Sequence, residues 1–172
     1  VLDCSGNNIL RRNIMKGNTY NFNVRGIARE PARISHFIQD IDDSNIVDGK
    51  LIYYLMNKSN LVIDSSTLPN MGYLALVNST NITVKDLTLP KNNGEGILFG
   101  GTTNSIIENV AVTNNLVGIY LGASQGNTIE NAQVTKNERG VYLITSEENI
   151  LSGNNITSNW IGIILSYSSG NI

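Results

Sequence analysis

Apolar residues recur along this chain at intervals of 8, 5 and 9 positions, which add up to a repeat of 22 residues. The pattern is clearest in the C-terminal half, at Leu121, Ile129, Val134, Leu143, Leu151, Ile156 and Leu165. The same spacing links Leu55, Ile63 and Leu68, then Leu76, Val84 and Leu89, then Phe99, Ile107 and Val112, and near the N-terminus Leu10, Met15 and Val24. Self-similarity at a fixed period of this length is typical of a solenoid, in which each repeat packs only on its neighbours.

The periodicity inside each repeat is that of a β-strand. In the segment GIYL, Ile119 and Leu121 face one side and Tyr120 faces the other, and the repeats lack an apolar stripe at helical spacing. They are rich in β-branched and aromatic residues, and they do not follow the frame of a leucine-rich repeat. Three short strands in each repeat predict an all-β parallel β-helix of about eight coils, stacked about 4.8 Å apart.

The chain contains 26 asparagines, and many of them occupy equivalent corner positions of the repeat. One set consists of Asn18, Asn92, Asn115, Asn137 and Asn159. A second set consists of Asn8, Asn127, Asn149 and Asn171, with Asn60, Asn81 and Asn104 one place earlier. Stacked amides can hydrogen-bond in ladders, and Asn tolerates the left-handed backbone of sharp corners. We therefore interpret the asparagines as structural.

The repeat is interrupted between Val24 and Leu55, which lie 31 positions apart, nine more than one repeat. We predict a single β-helix domain over residues 1–172, part of a longer repeat chain, with an irregular coil or a loop insertion over residues 25–50. A short helix is the alternative in that range, because apolar residues follow helical spacing at Ile34, Phe37, Ile38 and Ile41. Irregular loops on a regular scaffold often carry function.

Composition narrows the classes of function. The net charge is -2 and charged residues make up 15% of the chain, so it lacks the basic face that a nucleic-acid partner requires. The sequence has no run of 18 apolar residues, so we predict no membrane span in this segment. The single cysteine, Cys4, excludes an internal disulfide framework.

Three segments carry a resemblance to a known family. They read SHFIQDIDDSNIVDGKLIYYLMNKSNLVIDSS from residue 35, NMGYLALVNSTNITVKDLTL from residue 70 and NNGEGILFGGTTNSIIENV from residue 92. The chain resembles the NosD-like β-helix proteins, which belong to the wider carbohydrate-binding and sugar-hydrolase type of β-helix and are common as secreted or cell-surface repeat proteins of archaea. The resemblance covers nearly the whole chain and implies a right-handed parallel β-helix with an extracellular or cell-surface location.

Proteins of that family are often described as copper-binding, and copper in proteins favours sulfur and imidazole ligands. This chain offers such donors only singly, at Cys4, Met15, His36, Met56 and Met71. We therefore predict no copper site and no resident cofactor.

The acidic run DIDDSN is the better metal candidate, because calcium prefers closely spaced oxygen ligands. Its carboxylates are Asp40, Asp42 and Asp43. The run lacks the glycine and the final glutamate of an EF-hand loop, and a turn of Asp and Ser explains it as well.

Polysaccharide cleavage is the enzymatic alternative. A glycosidase needs two carboxylates facing one groove, and Glu108 and Glu130 occupy equivalent positions of neighbouring repeats. Lys85 and Ser152 fill the same position in the flanking repeats, so the column also reads as a solvated face of mixed charge. We favour a non-catalytic protein, with a polysaccharide lyase or glycoside hydrolase that uses Glu108 and Glu130 as the alternative.

Two features suggest contact with sugars. Tyr120 and Tyr142 project outward on adjacent coils, where an aromatic platform could hold sugar rings, although exposed strands also favour tyrosine. Four sequons are candidate glycan acceptors in a secreted chain, at Asn57, Asn78, Asn81 and Asn155.

The two ends of the chain lie at matching points of the repeat, CSGNN and SSGNI, and neither reads as a capping helix. Either the segment is cut from a longer array of repeats, or its ends complement each other and copies stack. We therefore predict a structural or adhesive protein of the cell surface that assembles through its end coils, with itself or with neighbouring repeats, or binds polysaccharide.

Overall fold

The strands form where the 22-residue pattern predicts them, and each pairs in register with its equivalent one repeat later. Leu121 lies opposite Leu143 and Ile129 lies opposite Leu151, in parallel strands. The structure, a computed structural model, describes residues 1–26 and 30–172. The fold is an all-β parallel β-solenoid of about seven turns, against the predicted eight.

The described residues form short strands joined by tight corners. The first ten strands are β1 (Leu2–Asp3), β2 (Ile9–Leu10), β3 (Ile14–Met15), β4 (Val24–Arg25), β5 (Asp40–Ile41), β6 (Ile46–Val47), β7 (Lys50–Met56), β8 (Ser59–Ile63), β9 (Met71–Val77) and β10 (Thr80–Lys85). The others are β11 (Glu95–Gly100), β12 (Ile106–Glu108), β13 (Ala111–Thr113), β14 (Val117–Gly122), β15 (Thr128–Glu130), β16 (Gln133–Thr135), β17 (Arg139–Ile144), β18 (Ile150–Ser152), β19 (Asn155–Thr157) and β20 (Ile161–Ser166). Within this part of the chain, no helix has the length and apolar character needed to cross a membrane.

Three sheets form the walls of the solenoid. The long sheet has the strand order β20-β17-β14-β11-β9-β7-β6-β3. The second wall has the order β18-β15-β12-β10-β8, and the third has the order β13-β16-β19. Two further strand pairs, β1 with β4 and β2 with β5, lie near the N-terminus.

The inner core fills the space between the three walls. It contains one apolar side chain or more from each strand of every turn from β8 to β17, and most of them are fully buried. Its members are Ile63, Leu74, Leu76, Ile82, Val84, Leu87, Leu89, Ile97, Phe99, Ile107, Val110, Val112, Ile119, Leu121, Ile129, Ala132, Val134, Val141 and Leu143, with Leu55, Leu68, Leu151 and Ile156 packed against them. The inward positions predicted between Leu55 and Ile156 are therefore confirmed.

Asparagine ladders close two corners of the solenoid, as predicted. The backbone N–H of Asn115 donates to Oδ1 of Asn137 at 2.9 Å, and that of Asn137 donates to Oδ1 of Asn159 at 2.8 Å. Asn127 and Asn149 repeat this contact in a second ladder, at 2.9 Å. Because the oxygen of each amide bonds one coil and its NH2 group bonds a carbonyl of another, the ladders satisfy buried backbone groups at the corners.

The ladder members and the left-handed asparagines are different residues. Asn93 precedes Asn115 in the first ladder, through a 3.0 Å bond from its N–H. Its neighbour Asn92, which the spacing had placed in that set, has a positive φ of 61°. Asn114 likewise has a φ of 58° beside the ladder member Asn115. One asparagine thus makes the sharp turn, and the next one carries the ladder.

A β-hairpin reverses the chain between β6 and β7, which pair antiparallel. Asp48 and Gly49 form its two-residue turn, with φ values of 48° and 81°. Two positive φ values match a type I′ turn, for which Asp-Gly is a favoured sequence. Residues 1–26 and 30–47, called the N-terminal segment below, therefore do not continue the coils of the inner core.

The N-terminal segment packs on the outward face of the long sheet and forms an outer core. This core buries Phe22, Val24, Ala32, Phe37, Ile41, Val47, Ile52, Tyr54, Tyr73, Ala75, Val77, Leu98, Val117, Tyr120, Tyr142 and Ile144, with Leu10 and Met15 packed against it. Leu10, Met15 and Val24 face inward as predicted, but they pack in the outer core instead of the inner core, because the hairpin redirects their segment. Residues 27–29 of the predicted insertion over residues 25–50 lie outside the described structure. The described part of that range contains the end of β4, a 3-10 turn (Ile34–His36), β5, β6 and the first residue of β7.

Candidate functional site

Tyr120 and Tyr142 do face outward from the long sheet, but they do not form an exposed platform. They retain only 1% and 5% exposure, because the N-terminal segment covers them. Their rings lie edge to face at 5.4 Å between centroids, and the Phe37 ring lies 6.0 Å from that of Tyr120. The Tyr120 hydroxyl accepts the backbone N–H of Gly26 at 3.3 Å. The predicted sugar-binding surface at these tyrosines is therefore interior to the protein.

Glycines create the space into which Phe37 fits. A Cβ atom at Gly100 would lie 2.6 Å from Cγ of Phe37, and one at Gly122 would lie 2.4 Å from its Cζ. Both distances are too short for real atoms, so the two glycines form a shallow socket for this ring. Tyr54 fixes the segment further by donating its hydroxyl to the Phe37 carbonyl at 2.6 Å.

Glu95 is a buried acid beneath the N-terminal segment, and the sequence did not indicate it. Its Oε2 accepts hydrogen bonds from the Tyr73 hydroxyl at 2.7 Å and from the Val24 N–H at 3.3 Å. Its Oε1 has no hydrogen-bond partner among the described residues. Burial raises the pKa of Glu95 from 4.5 to about 7, against the opposing effect of the two hydrogen bonds.

Glu108 and Glu130 lie opposite each other on β12 and β15, as predicted. Lys85 pairs with Glu108 on one side, and Ser152 pairs with Glu130 on the other. Both glutamates are partly exposed. The column therefore consists of one basic, two acidic and one neutral side chain on successive turns, along one wall of the solenoid.

The acidic run is held by an arginine. Arg11 contacts Asp40 through Nη2 at 2.5 Å and Asp42 through Nε at 3.0 Å. Asp42 also accepts the backbone N–H of Ser44 at 3.1 Å, and the hydrogen bonds with Ser44 lower the pKa of Asp42 below its usual value. Asp43 is exposed. Two of the predicted calcium candidates, Asp40 and Asp42, thus pair with Arg11, and Asp42 also caps a turn.

The methionines that could supply sulfur ligands are divided between the two cores. Met15 and Met56 pack against the outer core, whereas Met71 packs against the inner core. Nδ1 of His36 accepts the backbone N–H of Arg33 at 3.4 Å. Among the described residues, no three His, Cys, Asp or Glu side chains are close enough to bind a metal ion together. The residues present therefore do not fit a copper site.

The four predicted glycan acceptors are all exposed, and three of them are engaged in side-chain contacts. Asn78 donates its amide to Oδ1 of Asn57 at 2.7 Å, and Asn81 donates its amide to Oδ1 of Asn60 at 2.6 Å. A glycan on Asn78 or Asn81 would replace one N–H of that pair. Asn155 lies on β19, close to the last turn.

The last turn exposes positions that are buried in the turns from β9 to β17. Ile163 and Leu165 on β20 are 48% and 52% exposed, whereas their equivalents Val141 and Leu143 are fully buried. The strand β20 pairs with β17 on one side only. At the other end of the solenoid, the edge of β7 is covered by β6. We call the exposed face of residues 150–172 the open end.

Comparison with known proteins gives one result. The family model described as "Periplasmic copper-binding protein (NosD)" matches residues 36–172. The match covers most of the chain, including all turns of the inner core, and it leaves out most of the N-terminal segment. No curated protein and no solved structure gives a significant match.

Proposed function

This chain belongs to the NosD family, and we propose that it works outside the cytoplasm, at the cell surface, as a non-catalytic structural rod that assembles through its open end. The family's description is periplasmic, which agrees with an extracytoplasmic location. Copper is not part of the proposal, because no three His, Cys, Asp or Glu side chains of the described residues could hold a metal ion together. Catalysis is not part of it either, because the glutamate pair lies on an open wall.

The observation that carries the proposal is the change in burial between two equivalent strands. Leu143 on β17 is fully buried because β20 lies over it, and Leu165 on β20 is half exposed. Burying apolar surface is favourable by roughly 25 cal/mol per Å². A coil placed on the open end would therefore be stabilised by the same contacts that join each pair of turns inside the rod.

The backbone of the open end favours the same kind of partner. Each asparagine ladder runs from one turn to the next, and the last members are Asn159 and Asn171. A third ladder is built from hydroxyl groups, in which the N–H of Ser146 donates to Oγ of the last member, Ser168, at 3.0 Å. A further coil with Asn or Ser at the equivalent positions would extend all three columns. The edge of β20 also offers its main chain for pairing, which is the usual way in which exposed edge strands recruit partners.

In the purified chain, the partner that carries such a coil is a second copy. Head-to-tail stacking requires a free edge at both ends of the long sheet, and β6 occupies the edge of β7. Two copies can still meet through their open ends around a two-fold axis, where the two β20 edges lie antiparallel and the exposed Ile163 and Leu165 side chains bury each other. The ladders need a parallel coil, so only a following repeat would extend them. We therefore propose a closed, end-to-end dimer.

Sedimentation velocity over a range of concentrations tests this assembly. We expect a monomer–dimer equilibrium, and we expect Ile163→Lys to shift it to the monomer, because a lysine in the centre of the interface would bury a charge. Ile106→Lys is the matched control, since Ile106 is 37% exposed on β12 and lies away from the open end. A chain that stays monomeric at all concentrations, or a dimer that survives Ile163→Lys, would overturn the proposal.

A further inference from the structure

A shallow groove runs along the side of the rod. It lies where residues 19 and 20 of the N-terminal segment meet the corners that precede the strands of the long sheet. Its volume is about 360 Å³. It is lined by Thr19, Tyr20, Asn92, Asn114, Asn115, Lys136, Asn137, Glu138, Ser158 and Trp160. The groove is separate from the glutamate column and from the buried tyrosines. Neither the family's description nor the proposed assembly assigns it a role.

Two aromatic residues line this groove. Trp160 is the only tryptophan of the chain and is 81% exposed, which is unusual for so large a side chain. Tyr20 is partly buried, and its hydroxyl donates to Oε1 of Glu138 at 2.5 Å. Burial, together with this hydrogen bond, raises the pKa of Tyr20 to about 12. The tyrosine is therefore a neutral, positioned side chain, and the tryptophan presents a free ring face.

The polar lining is suited to hydroxyl groups. Asn92 and Asn114 occupy equivalent corner positions of successive turns, joined by a 2.8 Å bond between the N–H of Asn92 and the carbonyl of Asn114. Both have left-handed backbones and carry amides that donate and accept hydrogen bonds. Lys136 and Ser158 continue the same column in the next two turns. The column thus presents hydrogen-bonding groups at a spacing of about 4.8 Å, the distance between stacked strands.

The charges of the groove favour a neutral ligand. Lys136 supplies one positive charge and Glu138 one negative charge, and Glu138 is already bonded to Tyr20. A nucleic acid or an acidic polymer would need an excess of basic groups. An apolar peptide would need a hydrophobic lining, whereas most side chains here are polar.

We propose that this groove binds a neutral, β-linked oligosaccharide that lies along the rod axis. The apolar face of one sugar ring stacks on Trp160, and the hydroxyl groups of the following residues bond the amides of Asn114 and Asn92. A β-linked sugar residue advances by a distance similar to the spacing of the turns, so that successive residues of the ligand meet successive turns of the protein. This site replaces the surface that the sequence predicted at Tyr120 and Tyr142.

The single tryptophan makes the proposal measurable without a label. Cellohexaose and N-acetylchitohexaose are titrated into the chain, and tetragalacturonate serves as the acidic comparison. We expect a saturable change in Trp160 emission with at least one neutral hexaose and none with the acidic probe. The Ile163→Lys background keeps this signal separate from assembly at the open end, and binding is expected to persist in it.

Substitutions then locate the ligand. We expect Tyr20→Ala and Asn114→Gly each to weaken binding about tenfold, as for central contacts of a binding site. Glycine is chosen at Asn114 because the φ there is 58°, and Asn109→Gly at a φ of 51° is its matched control outside the groove. Trp160→Ala is measured by calorimetry and is expected to abolish binding, whereas Tyr167→Ala on the same turn is expected to retain it.

Three outcomes would overturn the proposal. The first is the absence of binding by both neutral hexaoses at millimolar concentration. The second is binding of tetragalacturonate that equals or exceeds theirs, which would indicate an acidic ligand. The third is neutral-sugar binding that is unaffected by Tyr20→Ala and Asn114→Gly, which would place the ligand elsewhere on the rod.

Discussion

The inner core and the outer core of this protein are both well buried, but they are built in different ways. In the inner core, Leu121, Leu143 and their equivalents contact neighbours one repeat away, and similar residues recur in every turn. In the outer core, the contacts that the N-terminal segment makes with the rod each occur once and join distant parts of the chain. Tyr20 reaches Glu138 across 118 positions, and Ala32 reaches Thr145 across 113.

Because their contacts differ in this way, the two cores gain their stability differently. A repeat core is stabilised turn by turn, because every turn adds one interface with its neighbour. The outer core depends on docking a segment that the Asp48–Gly49 hairpin has turned back, so its contacts form together or not at all. We therefore expect the N-terminal segment to open as one unit while the rod stays folded, as cooperative subglobal units do.

Two phenylalanines test most directly whether the inner and outer cores unfold separately. Phe99 lies in the inner core and Phe37 in the outer core, and both are fully buried. We expect Phe99→Ala to lower the free energy of unfolding of the rod by about 3–5 kcal/mol, the usual cost of a large cavity. Phe37→Ala is expected to cost a similar amount locally, and to release only the N-terminal segment.

Hydrogen exchange and limited trypsin digestion separate these two outcomes. With Phe37→Ala, cleavage at Arg33 should accelerate while the amides of β11 to β17 keep their protection. With Phe99→Ala, protection should fall in the rod itself. Equal loss of protection along the whole chain in both variants would show that the two cores unfold as one unit, contrary to the comparison.

The pH dependence of the outer core provides the next test. The pKa of Glu95 is raised from 4.5 to about 7, so the folded protein keeps a proton that the unfolded chain loses. The contribution of protonated Glu95 to the free energy of unfolding is complete below about pH 4.5. It falls by roughly 3 kcal/mol as the pH rises to about 7. Glu95→Gln, which retains a neutral polar side chain, should remove this loss.

Urea unfolding between pH 4 and pH 8 measures the effect. We expect the variant to be more stable than the native chain at pH 8 and close to it at pH 4. Glu147→Gln, at an exposed position, should leave the native profile unchanged. If Glu95→Gln instead lowered stability at pH 8, Glu95 would act as a needed carboxylate rather than a buried acid.

The asparagine ladders of the rod are expected to make a smaller contribution to its stability. Asn137→Ala would remove the acceptor for the N–H of Asn115 and the donor to the Val112 carbonyl, inside the rod. Leaving such buried groups unpaired costs about 1–3 kcal/mol. Thermal unfolding should show this loss, whereas exposed Asn155→Ala should stay within about 0.5 kcal/mol of the native chain. Similar losses of stability in both variants would show that the ladder does not contribute to stability.

Parts of the outer core carry signals that can be read in the sequence. The Asp48–Gly49 pair between two apolar runs is a strong hairpin signal, and it marks where the chain stops following the coils. The sequence gives no such signal for Glu95, because none of the residues at its equivalent positions is acidic. These residues are Val117, Arg139 and Ile161. Only the covering segment makes this position buried. The groove at Trp160 also depends on that segment, because Tyr20 forms one side of it.

The sequence alone is enough to predict the solenoid, its period, its inward positions and its ladder corners. These features recur every 22 residues and involve only neighbouring turns. Only the tertiary structure shows which outward residues reach solvent, since Tyr120 is covered by a segment that contacts it from 94 positions away in the chain. It also decided that one end of the rod is covered and the other is open. Periodicity specifies contacts between equivalent positions, whereas a contact that occurs once leaves no period to read.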